Sequence, residues 1–332
     1  MLSIAVLSSG LVIAAIGSGE VLVTRMPARS FEGPLPPISP AQVQLAERLE
    51  AHVETLAGQI GERNLFRYPS LLRAAEYIEK SFISAGHTPR SQTFEVQAKA
   101  VRNIEVEIPG EEPETGIVIV GAHYDSVRGS PGANDNGTGV AAILELAHLF
   151  NEHKLRRTVR LVAFVNEEPP LFYTDAMGSV RYVRGAVGRG EKIVAMLSLE
   201  TIGYYSDEPG SQRYPFPLSF FYPDTGDFIG FVGNLRSQSL VRRVTGSFRQ
   251  HAQFPSEGLA APGWLRGVGW SDHWSFWRAG YPAIMVTDTA LYRYLQYHTA
   301  ADRPDVIDYE RCARVVDGLL PVIVDLAQGE EP

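Results

Sequence analysis

The segment His123-Tyr124-Asp125, closed by Gly132-Ala133-Asn134-Asp135-Asn136-Gly137, sets an imidazole and carboxylates beside tight-turn glycines. These are the donor types from which zinc sites are made. A second acidic group, Asn166-Glu167-Glu168-Pro169-Pro170, holds two adjacent carboxylates that repel each other unless something positive lies between them. One can ligate a metal while its neighbour faces the water that the metal acidifies and takes its proton. Glu200 and the run Tyr297-His298-Thr299 add a third carboxylate site and a second imidazole. Taken singly, each group has an ordinary structural role as a turn aspartate, a helix cap, a core histidine or a solvated acidic pair.

The elements before these residues explain why they should be read together. Ile117-Val118-Ile119-Val120, residues 159–165, residues 193–199 and Pro282-Ala283-Ile284-Met285-Val286 are short apolar runs, the pattern of buried parallel strands. Each delivers a metal-capable or basic group from its C-terminal side, where open α/β sheets place their sites. Because strand side chains alternate, His123 and Asp125 are expected on one face. Val140, Ile143, Leu144 and Ala147 follow at helical spacing and put Asp135 at a helix entrance. Ser39-Pro40 opens an amphipathic helix carrying Leu45, Leu49, Val53 and Leu56, and Pro69 opens another that stops near Gly86. A last helix covers about 308–326, and strands alternate with helices in between. This predicts a single α/β sandwich with a mainly parallel sheet.

The stretches GAHYDSV (121–127), GANDNGTGVAAILELA (132–147), NEEPP (166–170), MGS (177–179), LETIGYY (199–205), SDHWSFW (271–277) and YHTAADRPDVIDYERCARVV (297–316) together resemble the co-catalytic zinc peptidases of metallopeptidase family 28, which include secreted leucyl aminopeptidases. The resemblance spans most of the chain. It implies a three-layer α/β/α sandwich with a mixed, mainly parallel central sheet, and two zinc ions per chain. In that pattern His123, Asp135 and Glu200 hold one zinc, Asp135, Glu168 and His298 hold the other, and Asp135 bridges them. Glu167 is then the general base, and Asp125 supports His123 from behind. The commonest family pattern has Asp where this chain has Glu200, a change of reach within one ligand class.

The resemblance also implies peptide hydrolysis at a free N-terminus. Phe172, Tyr173, Tyr204, Tyr205, Tyr297, Trp270, Trp274 and Trp277 crowd the same segments. Of these, Tyr173 and Tyr297 are the candidates for contact with substrate, being tied in sequence to the acidic and histidine motifs. His273 is expected to support the site without ligating. The rival within the fold is glutaminyl cyclase, which shares the HYDS and Glu-Glu segments but uses one zinc, and from which Asn134-Asp135-Asn136-Gly137-Thr138-Gly139 departs. A carboxypeptidase would need a cationic clamp, for which Arg128 and Arg293 lie near the motifs. A membrane-tethered binding domain without chemistry is the alternative from outside enzymology.

The chain has 332 residues, 45% of them hydrophobic, enough for one large core. A net charge of -8 without a Lys/Arg cluster argues against a nucleic-acid partner and leaves peptides as plausible substrates. Cys312 is alone and can form no internal disulfide. Residues 1–24 open with an uncharged, apolar stretch, read as an export signal or membrane anchor, and residues 25–40, with Pro34, Pro36, Pro37 and Pro40, read as a tether. The expected arrangement is therefore an exported peptidase domain over 41–328, periplasmic or extracellular, held at the membrane if the first segment is uncleaved.

Overall fold

The structure is a computed structural model that describes residues 3–6, 12–16 and 20–329. Its strands are β1 Ser3–Val6, β2 Val12–Ile16, β3 Glu20–Val23, β4 Arg90–Val96, β5 Lys99–Ile108, β6 Ile117–His123, β7 Thr158–Phe164, β8 Ile193–Leu199, β9 Ile229–Asn234, β10 Ser256–Ala261 and β11 Ala283–Thr287. They form one sheet in the order β1-β2-β3-β10-β9-β11-β8-β6-β7-β5-β4. The centre is parallel, with β6 between β7 and β8 and β8 beside β11. β9 runs antiparallel to β11 and parallel to β10, while β4 and β5 close the other side antiparallel. The sheet is mixed, as expected.

Helices cover both faces. The helices α1 Pro40–Val53, α2 Tyr68–Ser84, α3 Gly139–Leu149, α5 Gln238–His251 and α7 Tyr309–Gln328 share one apolar cluster that includes Leu49, Ile78, Ile143, Phe248 and Leu319. Helices α4 Gly178–Gly188 and α6 His273–Arg278 lie on the other face, where Tyr182, Val183 and Phe276 pack on Ile119, Val162, Phe164 and Met196. The continuous burial of β6 and β7 follows from this double cover. Helix α1 starts where Ser39 and Pro40 predict it, with a reciprocal bond between Ser39 and Gln42 that pairs amides otherwise left over at a helix entrance. Cys312 is buried in α7 as a small apolar residue.

Ten of residues 1–24 lie outside the described residues, and among the described residues no helix is long and apolar enough to cross a membrane. Residues 25–40 carry no helix or strand before Pro40, as their prolines dictate, but they are not a free tether. Met26 is buried, Arg242 donates to the Arg25 carbonyl at 2.6 Å, Ser256 N–H donates to Ser30 Oγ at 2.8 Å, and Arg314 donates to the Pro36 carbonyl at 2.8 Å. The prolines keep carbonyls free for these arginines, and the stretch lies along the domain as a strap.

Candidate metal centre

His123 is the last residue of β6 and is fully buried. Its Nδ1 lies 3.1 Å from the Asp125 main-chain carbonyl, which turns Nε2 into the site. There Nε2 stands 3.2 Å from Asp135 Oδ1 and 3.3 Å from Glu200 Oε2. The other Asp135 oxygen is 3.0 Å from His298 Nε2, which lies 3.3 Å from Glu168 Oε2. The result is two groups, His123-Asp135-Glu200 and Asp135-Glu168-His298, the ligand atoms of each lying within 4.8 Å of one another. Asp135 belongs to both. Glu167 lies alongside, with Oε2 3.9 Å from His123 Nε2.

Metal fits these residues. His123 Nε2, both Asp135 oxygens and Glu168 Oε1 are buried and make no hydrogen bond, although they converge on common points. Buried polar atoms without partners are costly, and a divalent cation satisfies several at once. A nitrogen and carboxylate set of this kind suits zinc.

The electrostatics show the same need for positive charge. Burial pushes the Glu167 carboxyl well above its ordinary range, with Glu200 and Glu168 adding to the effect. Burial and the neighbouring Asp135 push Glu168 up to about 8. Burial would raise Asp135 too, but the adjacent His123 and His298 imidazoles overcome it and hold this carboxyl below the usual range. Burial would lower the histidines, yet Asp135 and Glu168 bring His298 up to about 10, and Glu200 and Glu167 raise His123 well above an ordinary imidazole. Protons on the imidazoles occupy the role that a cation would take.

A layer behind the ligands fixes them. The Asp125 carboxylate accepts the amides of Glu167 and Glu168 at 3.0 and 3.1 Å, and its Oδ1 is 3.7 Å from His123 Nδ1. Asp125 thus steadies His123 through its main chain and the glutamate pair through its side chain, because the chain has already left β6 and strand alternation no longer governs it. Asp302 accepts the amides of Asn134 and Asp135 at 2.7 and 3.1 Å and the Tyr294 hydroxyl at 2.8 Å. Asn134 donates to Asp288 at 2.8 Å, and Ser271 donates to Glu200 at 2.7 Å. Arg63, also fully buried, donates to the carbonyls of Tyr124, Pro131 and Gly132 and thereby grips the loop between β6 and α3. Gly132, with φ +66°, makes that loop possible, since a Cβ there would meet the Asp135 carbonyl at 2.4 Å.

The ligand groups open into a cleft of ≈ 660 Å³, lined by Tyr173, Arg266, Trp270 and Tyr297 among others. Tyr173 donates to the Gly269 carbonyl at 2.9 Å and stacks on Phe172, while Tyr297 lies over the His298 ring at 3.9 Å. Tyr205 instead packs into the core against Phe254, and Trp277 bonds the Ala283 carbonyl below the sheet surface. His273 is buried outside both groups, bonded to the Val268 carbonyl and driven down to about 4 by burial, so it stays neutral. Sequence reasoning missed Arg63, Asp288, Asp302, Ser271 and Arg266. Asp302, Ser271 and Asn134 stand inside the quoted stretches, but no spacing signals what they hold; Arg63 and Arg266 carry no local pattern at all.

Comparisons with known proteins bear on the family and the fold. The chain is 38% identical over 287 residues to the uncharacterized protein YfbL of Escherichia coli K12, covering 83% of this chain and 87% of that one. Its fold matches the zinc aminopeptidase BSAP of Bacillus subtilis with a TM-score of 0.67 at 17% identity, over 86% of this chain and 96% of that one. It also matches a glutaminyl cyclase of Fimbriiglobus ruber with a TM-score of 0.63 at 21% identity, over 90% and 99%. Residues 103–323 fit the model of Peptidase family M28, and the chain belongs to that family.

Proposed function

We propose that this protein is a two-metal aminopeptidase that removes N-terminal residues from peptides, with Glu167 as general base. The observation that carries the reading is Asp135, whose two oxygens face two separate ligand groups, each completed by one histidine and one glutamate. Zinc held there would supply Lewis acidity, polarising a scissile carbonyl and making water acidic near neutral pH. Glu167 accepts the proton of the attacking water and returns it to the leaving amine. Its raised pKa suits both halves of that transfer, and Asp125 holds its amide so that the carboxyl faces the cleft. The acids of the site offer the substrate's α-ammonium a place beside the scissile bond, which limits cleavage to the first residue. Tyr173 and Tyr297, on the cleft wall, contact that residue.

The glutaminyl cyclase reading shares the fold and one of the ligand groups. Zinc titration of the chelator-treated protein together with hydrolysis of leucyl-p-nitroanilide separates them. Two equivalents of zinc with hydrolysis, lost in Glu167→Gln while zinc is retained, is the expected result. One tight equivalent with cyclisation of an N-terminal glutamine peptide would replace it. We further propose, from the uncharged start of the sequence, that residues 1–24 direct export. Recovery of the full-length protein in the cytoplasmic fraction alone would refute this.

A further inference from the structure

Beyond the metal cleft, sharing Glu200, Arg266, Trp270, Leu291 and Tyr297 with it, lies a deeper cavity of ≈ 90 Å³. Its floor is the sheet face opposite α5. Strand alternation puts Gly258, against Met26 and Thr245, on the α5 side, and turns Glu257 and Leu259 to the cavity. Val232 and Met285 continue that floor, and Tyr214, Leu218 and Tyr222 from the loop before β9 roof it. The walls are almost wholly apolar, and Glu257 stands among them.

The register gives the span. Glu257 pairs with Gly230, Gly230 with Thr287, and Thr287 follows Val286, which pairs with Leu199 just before Glu200. The two glutamates thus occupy one cross-strand row, three strands apart, or roughly 14 Å between backbones at the usual strand spacing. Gly230 and Thr287 lie between them, the first with no side chain and the second with a small one. Of the common side chains, lysine and arginine extend furthest along that row, well beyond leucine.

The Glu257 carboxylate also lacks a full partner. Its side chain is about a quarter exposed, at 24%, and the nearest cation, Arg249, is 3.6 Å away. Arg249 directs its N–H groups to Ser256 Oγ, the Ser256 carbonyl and the carbonyls of Pro27 and Ala28. No hydrogen bond to the Glu257 carboxylate is found among the described residues. Burial pushes Glu257 up to about 7, with Arg249 opposing and Asp227 adding to the rise. A cation brought into the pocket would relieve that cost, and the low dielectric there strengthens the pairing. Arg266, at the rim, is exposed and stacked near Trp270, so its charge is screened by solvent.

We propose that Glu257 is a specificity-determining residue that selects lysine or arginine as the first residue of the substrate, the apolar walls taking the methylene stem and the carboxylate the terminal charge. The proposal rests on the aminopeptidase reading for the docking of the α-amine and adds the partner of the side chain.

The test compares kcat/KM for lysyl- and leucyl-p-nitroanilide with the zinc-loaded full chain. The wild type should prefer lysine at least tenfold, Glu257→Gln should abolish the preference and Glu257→Leu should reverse it. An unchanged lysine-to-leucine ratio in both variants overturns the proposal. A readout without turnover separates it from the reaction itself: calorimetry of L-lysinamide and L-norleucinamide with Glu167→Gln. Lysinamide should bind at least tenfold more tightly, and the difference should vanish when Glu257→Gln is added. If the wild type hydrolyses neither nitroanilide, the aminopeptidase reading fails while this binding difference still decides the pocket; equal affinities overturn it.

Discussion

Asp135 must present one oxygen to each ligand group, so its main chain has to be held more firmly than its side chain can hold itself. Asp302 does this by accepting the amides of Asn134 and Asp135 while Tyr294 donates to the same carboxylate. Asp302→Ala would leave three buried donors unpaired, at about 1–3 kcal/mol each. We expect a loss of roughly 3 kcal/mol or more in urea denaturation and weaker zinc binding, with Asp302→Asn less severe because one acceptor survives. A stability within experimental error of the wild type would show that the loop holds Asp135 unaided. The same site predicts a pH dependence. His298 is raised to about 10 and Glu168 to about 8, so in the metal-free protein both carry protons at neutral pH that a cation must displace. Deprotonation is favoured as pH rises; hence zinc affinity, measured by chelator competition, should increase steadily from pH 6 to pH 8. A flat profile would mean that these groups do not ligate.

At the scale of elements, the apolar runs predicted β6, β7, β8 and β11, and the ligands follow from their C-terminal ends as that pattern requires. The candidate ligands were legible only through the resemblance of the quoted stretches taken together, since each group taken singly has an ordinary structural role. Strand order was not legible: that β9 inserts between β10 and β11, parallel to the first and antiparallel to the second, depends on pairings between segments distant in sequence. The supports were hidden for a related reason. Arg63 and Asp302 bind main-chain groups, and a main-chain group carries no sequence signature. Arg63 bonds carbonyls on both sides of the loop that joins β6 to α3, so the approach of His123 to Asp135 depends on it. Its buried charge also offsets Asp302, Asp125 and Asp135; burial lowers it only to about 10, leaving it cationic. Arg63→Met would orphan those carbonyls and leave the acids unbalanced, and removing one partner from a buried charged cluster costs about 3–5 kcal/mol. The check is the denaturation midpoint of the metal-free protein, where an unchanged value would assign the loop's order to Gly132 and its neighbours.

Across the whole molecule, acids from the ends of β6, β7 and β8 and from the loops after β11 meet along the C-terminal edge of these central strands, with Asp125, Asp135, Glu167, Glu168, Glu200, Asp288 and Asp302 all buried there. The chain as a whole is already at -8, so this concentration opposes folding unless cations answer it. The strap of residues 25–40 and the helices bind the layers together elsewhere, but at this edge the elements meet through charged side chains. Metal held there would act as a cross-link among elements that otherwise repel. Binding to the folded state alone stabilises by about 4 kcal/mol when free zinc stands a thousandfold above Kd. For a chain of this length each kcal/mol moves Tm by about 1–2 °C, and two ions bound in this way each contribute. Treatment with a chelator should lower Tm by roughly 8 °C or more, and zinc should restore it, with the rise completed at two equivalents per chain. In Asp135→Ala, which removes the residue common to both groups, the restoration should disappear. A Tm indifferent to the chelator in the wild type would show that protons and Arg63 suffice to hold the acids together.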